Sequence, residues 1–355
     1  MRQPHERLRD RTHLSQANTQ VPKIRQRSAT TEIPAIHLDP TAVLQYGGSC
    51  YTMHIPDGFL SPPVWAALDI VAIPAVAYMA RKAQRGFDES RVPLLGVMGA
   101  FVFAAQIINF PVGVGTSGHL VGAALLGITL GPASASLVMT AILVVQALVF
   151  QDGGILAMGA NIMNMAVMGV LAGYLPFHIL GATHRKLAVF LGGFLSMMIA
   201  ATLALSELLA SGVAMPGVVL GVSFALFLVS AVLEGVITLA VFQALETMNP
   251  RFIRQPSAGQ SRALGALALA AVVLVVGGVL VASAHPDGIG KLAENLGIAG
   301  RATSLMQTPM ASYELKFWQS PWLQKASAGL LGLLLISSVC LMLGRILRSR
   351  AAVTR

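Results

Sequence analysis

"VVLGVSFALFLVSAVLEGVITLAVFQA", residues 218–244, carries one charged side chain, Glu234, in an otherwise apolar run. A helix of this length and polarity crosses a bilayer, whose hydrocarbon core takes roughly 20 mostly apolar residues. Working outward, the same criterion marks 63–81, 92–110, 115–131, 134–150, 155–175, 188–210, 264–283 and 327–345. The spans 115–131 and 134–150 are short and meet at "LGPAS" (130–134), so they form either a tight helical pair or a partly re-entrant segment. Composition agrees with this reading. Hydrophobic residues are 55% and charged residues 11% of the 355, against about 25% charged in a soluble domain. The expected fold class is all-α, a polytopic membrane helical bundle.

A net charge of +9 would also suit a nucleic-acid binder. Here, however, the bases fall in short clusters between apolar runs, which is how a membrane protein is oriented. No nucleic-acid partner is expected, and membrane lipid is. The clusters "ARKAQRGFDESR" (80–91), "HRK" (184–186), "RFIRQPSAGQSR" (251–262) and "GRILRSR" (344–350) all fall on one side of the predicted bundle. The opposite loops "NFPVGVGTS" (109–117) and "SGVAMPG" (211–217) hold no Lys or Arg. The positive-inside rule puts the end at Met53 outside and the C-terminus in the cytoplasm. Cys50 and Cys340 lie in unrelated settings, so no disulfide framework is expected.

Residues 1–52 hold seven Arg or Lys against four acids and no apolar run. Such a segment would have to cross outward against the rule that the other clusters obey. The expectation is that the working polypeptide begins at Met53, with 1–52 a disordered basic leader outside the functional chain.

A chain starting Met53-His54 presents its amine, the backbone nitrogen of His54 and the His54 imidazole as two fused chelate rings. Planar nitrogen coordination of this kind suits Ni(II) or Cu(II). One corner stays open, and the histidine inventory is short. His5, His13 and His37 fall in the leader, His178 and His184 on the cytoplasmic side, and His285 in a late outer loop. His119 stands just inside the outer end of a glycine-rich span. Intramembrane ionisable groups are functional suspects, although a hydrogen-bonded structural histidine is the plain alternative. His119 is the fourth donor expected.

"MHIPDGFLSP" (53–62), "GTSGHLVGAALLGITLGP" (115–132) and "FQDGGILAMGANIMNMAVMG" (150–169) resemble the substrate-capture M component (CbiM/NikM family) of cobalt and nickel energy-coupling-factor transporters. The likeness covers roughly 53–250. It implies a seven-helix metal-capture unit whose ligands are the Met53 amine, His54 through backbone and ring, and His119. It also implies partners: a transmembrane coupling subunit and two ATP-binding-cassette ATPase subunits. "ASAHPDGIGKLAENLG" (282–297) resembles the outer loop of the two-span N component of nickel systems. The domain expectation is a leader at 1–52, a capture unit at 53–250 and a cytoplasmic linker at 251–263. An N-component-like segment at 264–345 and a cytoplasmic tail at 346–355 follow.

Other polar residues admit two readings each. Asn161 and Asn164, three apart, share a helical face and either steady a ligand or bond between helices. Gln151 and Asp152 lie at the outer end of a span, as His119 does. Asp57 either neutralises the cation or forms the turn with Gly58, and the turn is favoured. Glu207 and Glu234 are expected near interfaces or paired within the bundle.

The sequence has no G-x-x-x-x-G-K-[ST] stretch, so ATP hydrolysis is assigned to partners. The expected function is uptake of Ni(II) more than Co(II), captured at the outer face, with the ion as cargo and no organic cofactor. A cobalt-specific component supplying cobalamin biosynthesis is the alternative. An intramembrane metalloenzyme would need a further side-chain ligand beyond His54 and His119. A secondary transporter would show internal repeats, and none is evident.

Overall fold

The computed structural model describes residues 54–85, 88–113, 115–248, 260–283 and 285–353. The leader, Met53 and most of the 251–263 linker lie outside the described residues. The all-α expectation holds. Among the described residues seven helices are long and apolar enough to cross a membrane: Pro62–Gln84, Pro132–Phe150, Met158–Leu180, Arg185–Ala210, Gly217–Met248, Arg262–Val281 and Pro321–Arg348. We name the helices in chain order. They are α1 (Pro62–Gln84), α2 (Val92–Ile107), α3 (Ala123–Leu130), α4 (Pro132–Val145, continued by a π turn Gln146–Phe150) and α5 (Met158–Leu180). Then come α6 (Arg185–Ala210), α7 (Gly217–Met248), α8 (Gln260–Val281), α9 (Gly288–Asn295) and α10 (Pro321–Val353).

Local chemistry explains several boundaries. Helix α1 opens on Pro62, where a missing N–H costs nothing, and closes with Arg81 and Lys82 against its negative end. It turns Ile70, Ile73 and Tyr78 outward, as a lipid-facing helix does. Helices α6 and α7 approach closely at two glycines. A Cβ on Gly193 would lie 2.8 Å from the Glu234 carbonyl oxygen, and one on Gly235 would lie 2.8 Å from Phe190. Small residues at such crossings let backbones pack without a hydrophobic drive. Helices α8 and α10 both pack on α2, which is buried along most of its length.

The expected span 115–131 is not one helix. It begins as a strand β2 (Thr116–Gly118), antiparallel to β1 (Phe110–Gly113), runs on without helix through 119–122, and becomes helical only in the eight residues of α3. At "LGPAS" α3 and α4 meet across the single residue Gly131, at φ +79°, and the break lies upstream of α3. The physical reason is that this backbone has other partners. Glu234 of α7 accepts the N–H groups of Val121 and Gly122, both at 2.9 Å. The Gln106 amide of α2 donates to the Val121 carbonyl at 2.7 Å. Irregular backbone at membrane depth is tolerated where protein groups satisfy it.

Candidate metal centre

The segment 54–58 is laced onto the turn between α4 and α5. Asn161 grips Ile55 from both sides: its Oδ1 accepts the Ile55 N–H at 2.8 Å and its Nδ2 donates to the Ile55 carbonyl at 3.0 Å. Asp57 accepts from three successive backbone N–H groups, Ile155 at 3.0 Å, Leu156 at 2.7 Å and Ala157 at 3.2 Å. Such approach requires glycines in "FQDGG". A Cβ on Gly154 would lie 2.2 Å from Asp57 Oδ1, and Gly153, at φ +97°, passes directly under His54.

This lacing buries the His54 ring, whose Nδ1 lies 2.9 Å from Asp152 Oδ1. The other Asp152 oxygen accepts the Tyr313 hydroxyl. Tyr313 comes from the loop before α10 and is held by stacking on Phe150, with ring centroids 4.6 Å apart. Gln146 donates to the Tyr313 hydroxyl oxygen at 3.2 Å and to Gln106 Oε1 at 3.1 Å. Gln106 in turn holds Val121. One buried polar chain thus joins the His54 segment to the His119 segment.

His119 sits in the non-helical stretch after β2, 1% exposed. Its Nδ1 is 3.0 Å from the Leu120 carbonyl. A carbonyl only accepts, so Nδ1 carries the proton and the lone pair of the neutral ring is on Nε2. The His54 and His119 rings lie 5.9 Å apart between centroids, inclined by 28°.

Nε2 of His119 faces Asp287, whose Oδ2 is 3.9 Å away. Asp287 caps α9, accepting the Gly290 N–H at 2.8 Å through its other oxygen. Two bonds fix its loop to β2: the Ser117 N–H donates to the Pro286 carbonyl at 2.8 Å and the Ser117 hydroxyl to the His285 carbonyl at 2.7 Å. Burial pushes the Asp287 carboxyl well above the usual carboxylate range. The Gly290 N–H opposes that shift and the charge of Asp152 adds to it.

Of the residues singled out from sequence, the structure therefore gathers His54, His119 and Asp152, with Asn161 one residue removed through Ile55. The Asp57 carboxylate accepts the backbone N–H groups of Ile155, Leu156 and Ala157, an anchoring role that neither sequence reading of Asp57 described. Gln151 points away, donating to Ser304 and to the Met306 carbonyl. Asn164 does not share the Asn161 task and donates instead to Glu207 of α6 at 2.8 Å. The reason is the π-helical stretch Ile162–Gly169 inside α5, whose wider turn breaks the three-residue alignment expected of an α-helix. Met53 lies outside the described residues.

Asp287, Glu234 and Tyr313 escaped the sequence reading of the site. One signal was available, the recurrence of Pro-Asp-Gly at 56–58 and 286–288. Among the described residues no group of three His, Cys, Asp or Glu side chains is arranged to hold a metal ion. A cation seated between the two imidazoles would draw on backbone donors as well.

Comparisons with known proteins point the same way. The family described as "Cobalt uptake substrate-specific transmembrane region" matches residues 54–252. A protein of Haloquadratum walsbyi named for metal transport is 38% identical over 203 residues, covering 57% of this chain and 93% of its own. One of Archaeoglobus fulgidus, named as a fused nickel transport protein, is 35% identical over 221 residues, 61% of this chain and 73% of its own. The crystal structure of a transition metal transporter matches with a TM-score of 0.50 at 32% identity, covering 59% of this chain and 98% of that one.

Proposed function

The chain belongs to the family of cobalt-uptake substrate-specific transmembrane regions, and on that premise we propose that it is the membrane subunit that captures Ni(II), ahead of Co(II), for an ATP-driven importer. The observation that carries this reading is the pair of buried imidazoles, His54 and His119, brought to 5.9 Å from remote parts of an apolar bundle. Histidine at such depth is costly and marks an ion path.

The donor set in this reading is the amine of Met53, the backbone nitrogen and ring of His54, and Nε2 of His119. Of the two His54 ring nitrogens, Nδ1 closes a six-membered chelate with the residue's own backbone nitrogen. That atom faces Asp152, so capture exchanges the Asp152 contact for the metal and leaves a negative charge beside it. A free α-amine titrates at about 7.7–8.0, and is therefore available in part at neutral pH. Nickel is supported by the planar nitrogen set and by the fused nickel relative. The name of the family supports cobalt, and competition between the two ions for one preparation separates them.

In the same reading Met53 lies at the outer face of the cytoplasmic membrane and the C-terminus inside, as the basic loops support. A transmembrane coupling subunit and two ATPase subunits supply the energy, since the chain has no phosphate-binding loop sequence of its own.

The test is the nickel content of protein purified from membranes. A form starting at Met53 should retain nickel. A form stably extended in front of Met53, or with one Gly inserted between Met53 and His54, should lose tight retention while remaining folded. His119→Ala should lose at least the roughly 10–100-fold in affinity that attends loss of a metal ligand's supporting residue. Equal retention by the extended form would sink the amine-led site, and equal retention by His119→Ala would remove that residue from it.

A further inference from the structure

The turn ahead of α10 holds two aromatic rings off the protein. Phe317 is 84% exposed, and Trp318, Trp322 and Leu323 beside it are exposed too. The turn is braced rather than slack. The Trp318 N–H donates to the Leu315 carbonyl at 3.3 Å, the Leu315 N–H to the Gln324 carbonyl at 3.2 Å, and Gln324 Nε2 to the Trp318 carbonyl at 2.7 Å. Phe317 and Trp318 meet edge to face with ring centroids 5.2 Å apart, so they stand as one unit. Apolar rings fixed in this way gain nothing from the fold and lose by facing water.

The level of the turn indicates what covers them. Trp322, the second residue of α10, donates its indole N–H to the Val276 carbonyl of α8 at 3.0 Å. Val276 precedes the last residue of α8, Val281, by about 7–8 Å of helix. Helix α10 runs back into the bundle from Trp322, so Phe317 and Trp318 lie toward the end of α8, where Leu280 and Val281 are exposed as well. At the end of a spanning helix hydrocarbon gives way to headgroups, and aromatic residues collect at that boundary. The lysines suit the same level. Lys316, next to Phe317, is exposed, and Lys325 reaches back toward Glu314, 3.9 Å away, as a lysine does when its stem lies in an apolar layer and its charge outside.

We propose that the Phe317–Trp318 turn is a lipid anchor, its two rings seated at the headgroup boundary of the bilayer that α8 and α10 cross. Area favours lipid over a second protein. Two aromatic side chains bury roughly 150–250 Å² each, well short of about 800 Å² a side in a stable protein interface, whereas a bilayer takes up a small amphipathic element at its boundary. The anchor has a task in the fold, because it ends the strap 299–318 that crosses the His54 segment. In that strap the Thr303 N–H donates to the Asp57 carbonyl at 2.9 Å, the Thr308 hydroxyl to the Val149 carbonyl at 2.6 Å, and the Tyr313 hydroxyl to Asp152. Lipid that holds the turn keeps these bonds closed.

The test places a nitroxide at Phe317→Cys in the full chain, reconstituted in phosphatidylcholine nanodiscs. Cys50→Ser removes the second thiol, and Cys340 is buried away from the reagent. The expected label is relaxed more by oxygen, which concentrates among acyl chains, than by chromium oxalate, which stays in water. Relaxation by chromium oxalate equal to that of a free nitroxide would overturn the anchor. Dipolar broadening between labels would give the turn to a second copy and overturn it too. A second measurement follows amide hydrogen exchange across the strap in the same nanodiscs. Phe317→Ser with Trp318→Ser should exchange the Thr303 N–H several-fold faster than the parent while α6 stays protected, and Phe317→Leu with Trp318→Phe should restore the parent rate. Parent-like exchange in the double serine variant would remove the anchor's hold on the strap. Neither readout involves a metal, so the inference stands or falls apart from the capture site.

Discussion

The two Pro-Asp-Gly turns, 56–58 and 286–288, are the same three residues put to different work. In the first, both oxygens of Asp57 are taken up by the N–H groups of Ile155, Leu156 and Ala157, and Gly58 takes a left-handed φ of +90°. In the second, one Asp287 oxygen caps α9 and the other is turned on His119. Both aspartates are buried, at 3% and 0% exposure. The contrast separates an anchor from a site. A buried carboxylate with all its acceptor capacity spent on backbone is holding a chain in place, whereas one with an oxygen unanswered is aimed at something.

The contrast can be broken by mutation, most severely at Asp57. Asp57→Ala strips the acceptor from three backbone N–H groups at once, at about 1–3 kcal/mol for each buried donor left unpaired. The expected outcome is little or no monodisperse protein after detergent extraction, with any survivor melting far below the parent. Normal yield and melting would remove the anchor reading.

Glu234→Gln ranks next. Glutamine faces two N–H groups with one accepting oxygen and one amide NH2 that only donates, so Val121 or Gly122 loses its acceptor and the loop bearing His119 loosens. A loss of about 1–3 kcal/mol in stability should come with weaker nickel binding, read by melting and by metal titration on the same sample. Tyr313→Phe should do less. It keeps the ring stacked on Phe150 and removes only the hydroxyl between Asp152 and Gln146, a cost of about 0.5–1.5 kcal/mol in melting. Smallest is the stability change of Asp287→Asn without added metal, expected to be the least of these because Asn caps a helix as well as Asp does. A collapse there comparable with Asp57→Ala would make the two turns equivalent and erase the distinction.

How much was legible beforehand follows from the range of the signals. The long helices could be read because a run such as 218–244 is apolar over its own length, whatever packs beside it. His54 and His119 could be picked because an imidazole is conspicuous in such surroundings. For Asn164 the sequence left two readings open, and its bond to Glu207 of α6 is the one between helices; the π turn that sets its direction is announced by no spacing rule. The break in 115–131 was undecided because the groups that satisfy its backbone, Glu234 and Gln106, lie on α7 and α2. Asp287 looked like part of a separate outer loop because nothing local ties it to His119.

The sequence by itself therefore determined the membrane class, the long apolar helices and the two imidazoles, since each depends on residues adjacent in the chain. Only the tertiary structure decided which carboxylate anchors and which faces the site, how Asp152 and Tyr313 join the two histidine segments, and that α8 and α10 pack on α2. Those outcomes depend on hydrogen bonds closed over roughly 100 residues or more of chain, as between Asp57 and Ile155 or Asp152 and Tyr313. A bond of that reach is specified by where the helices bring its two ends, and no window along the chain contains both.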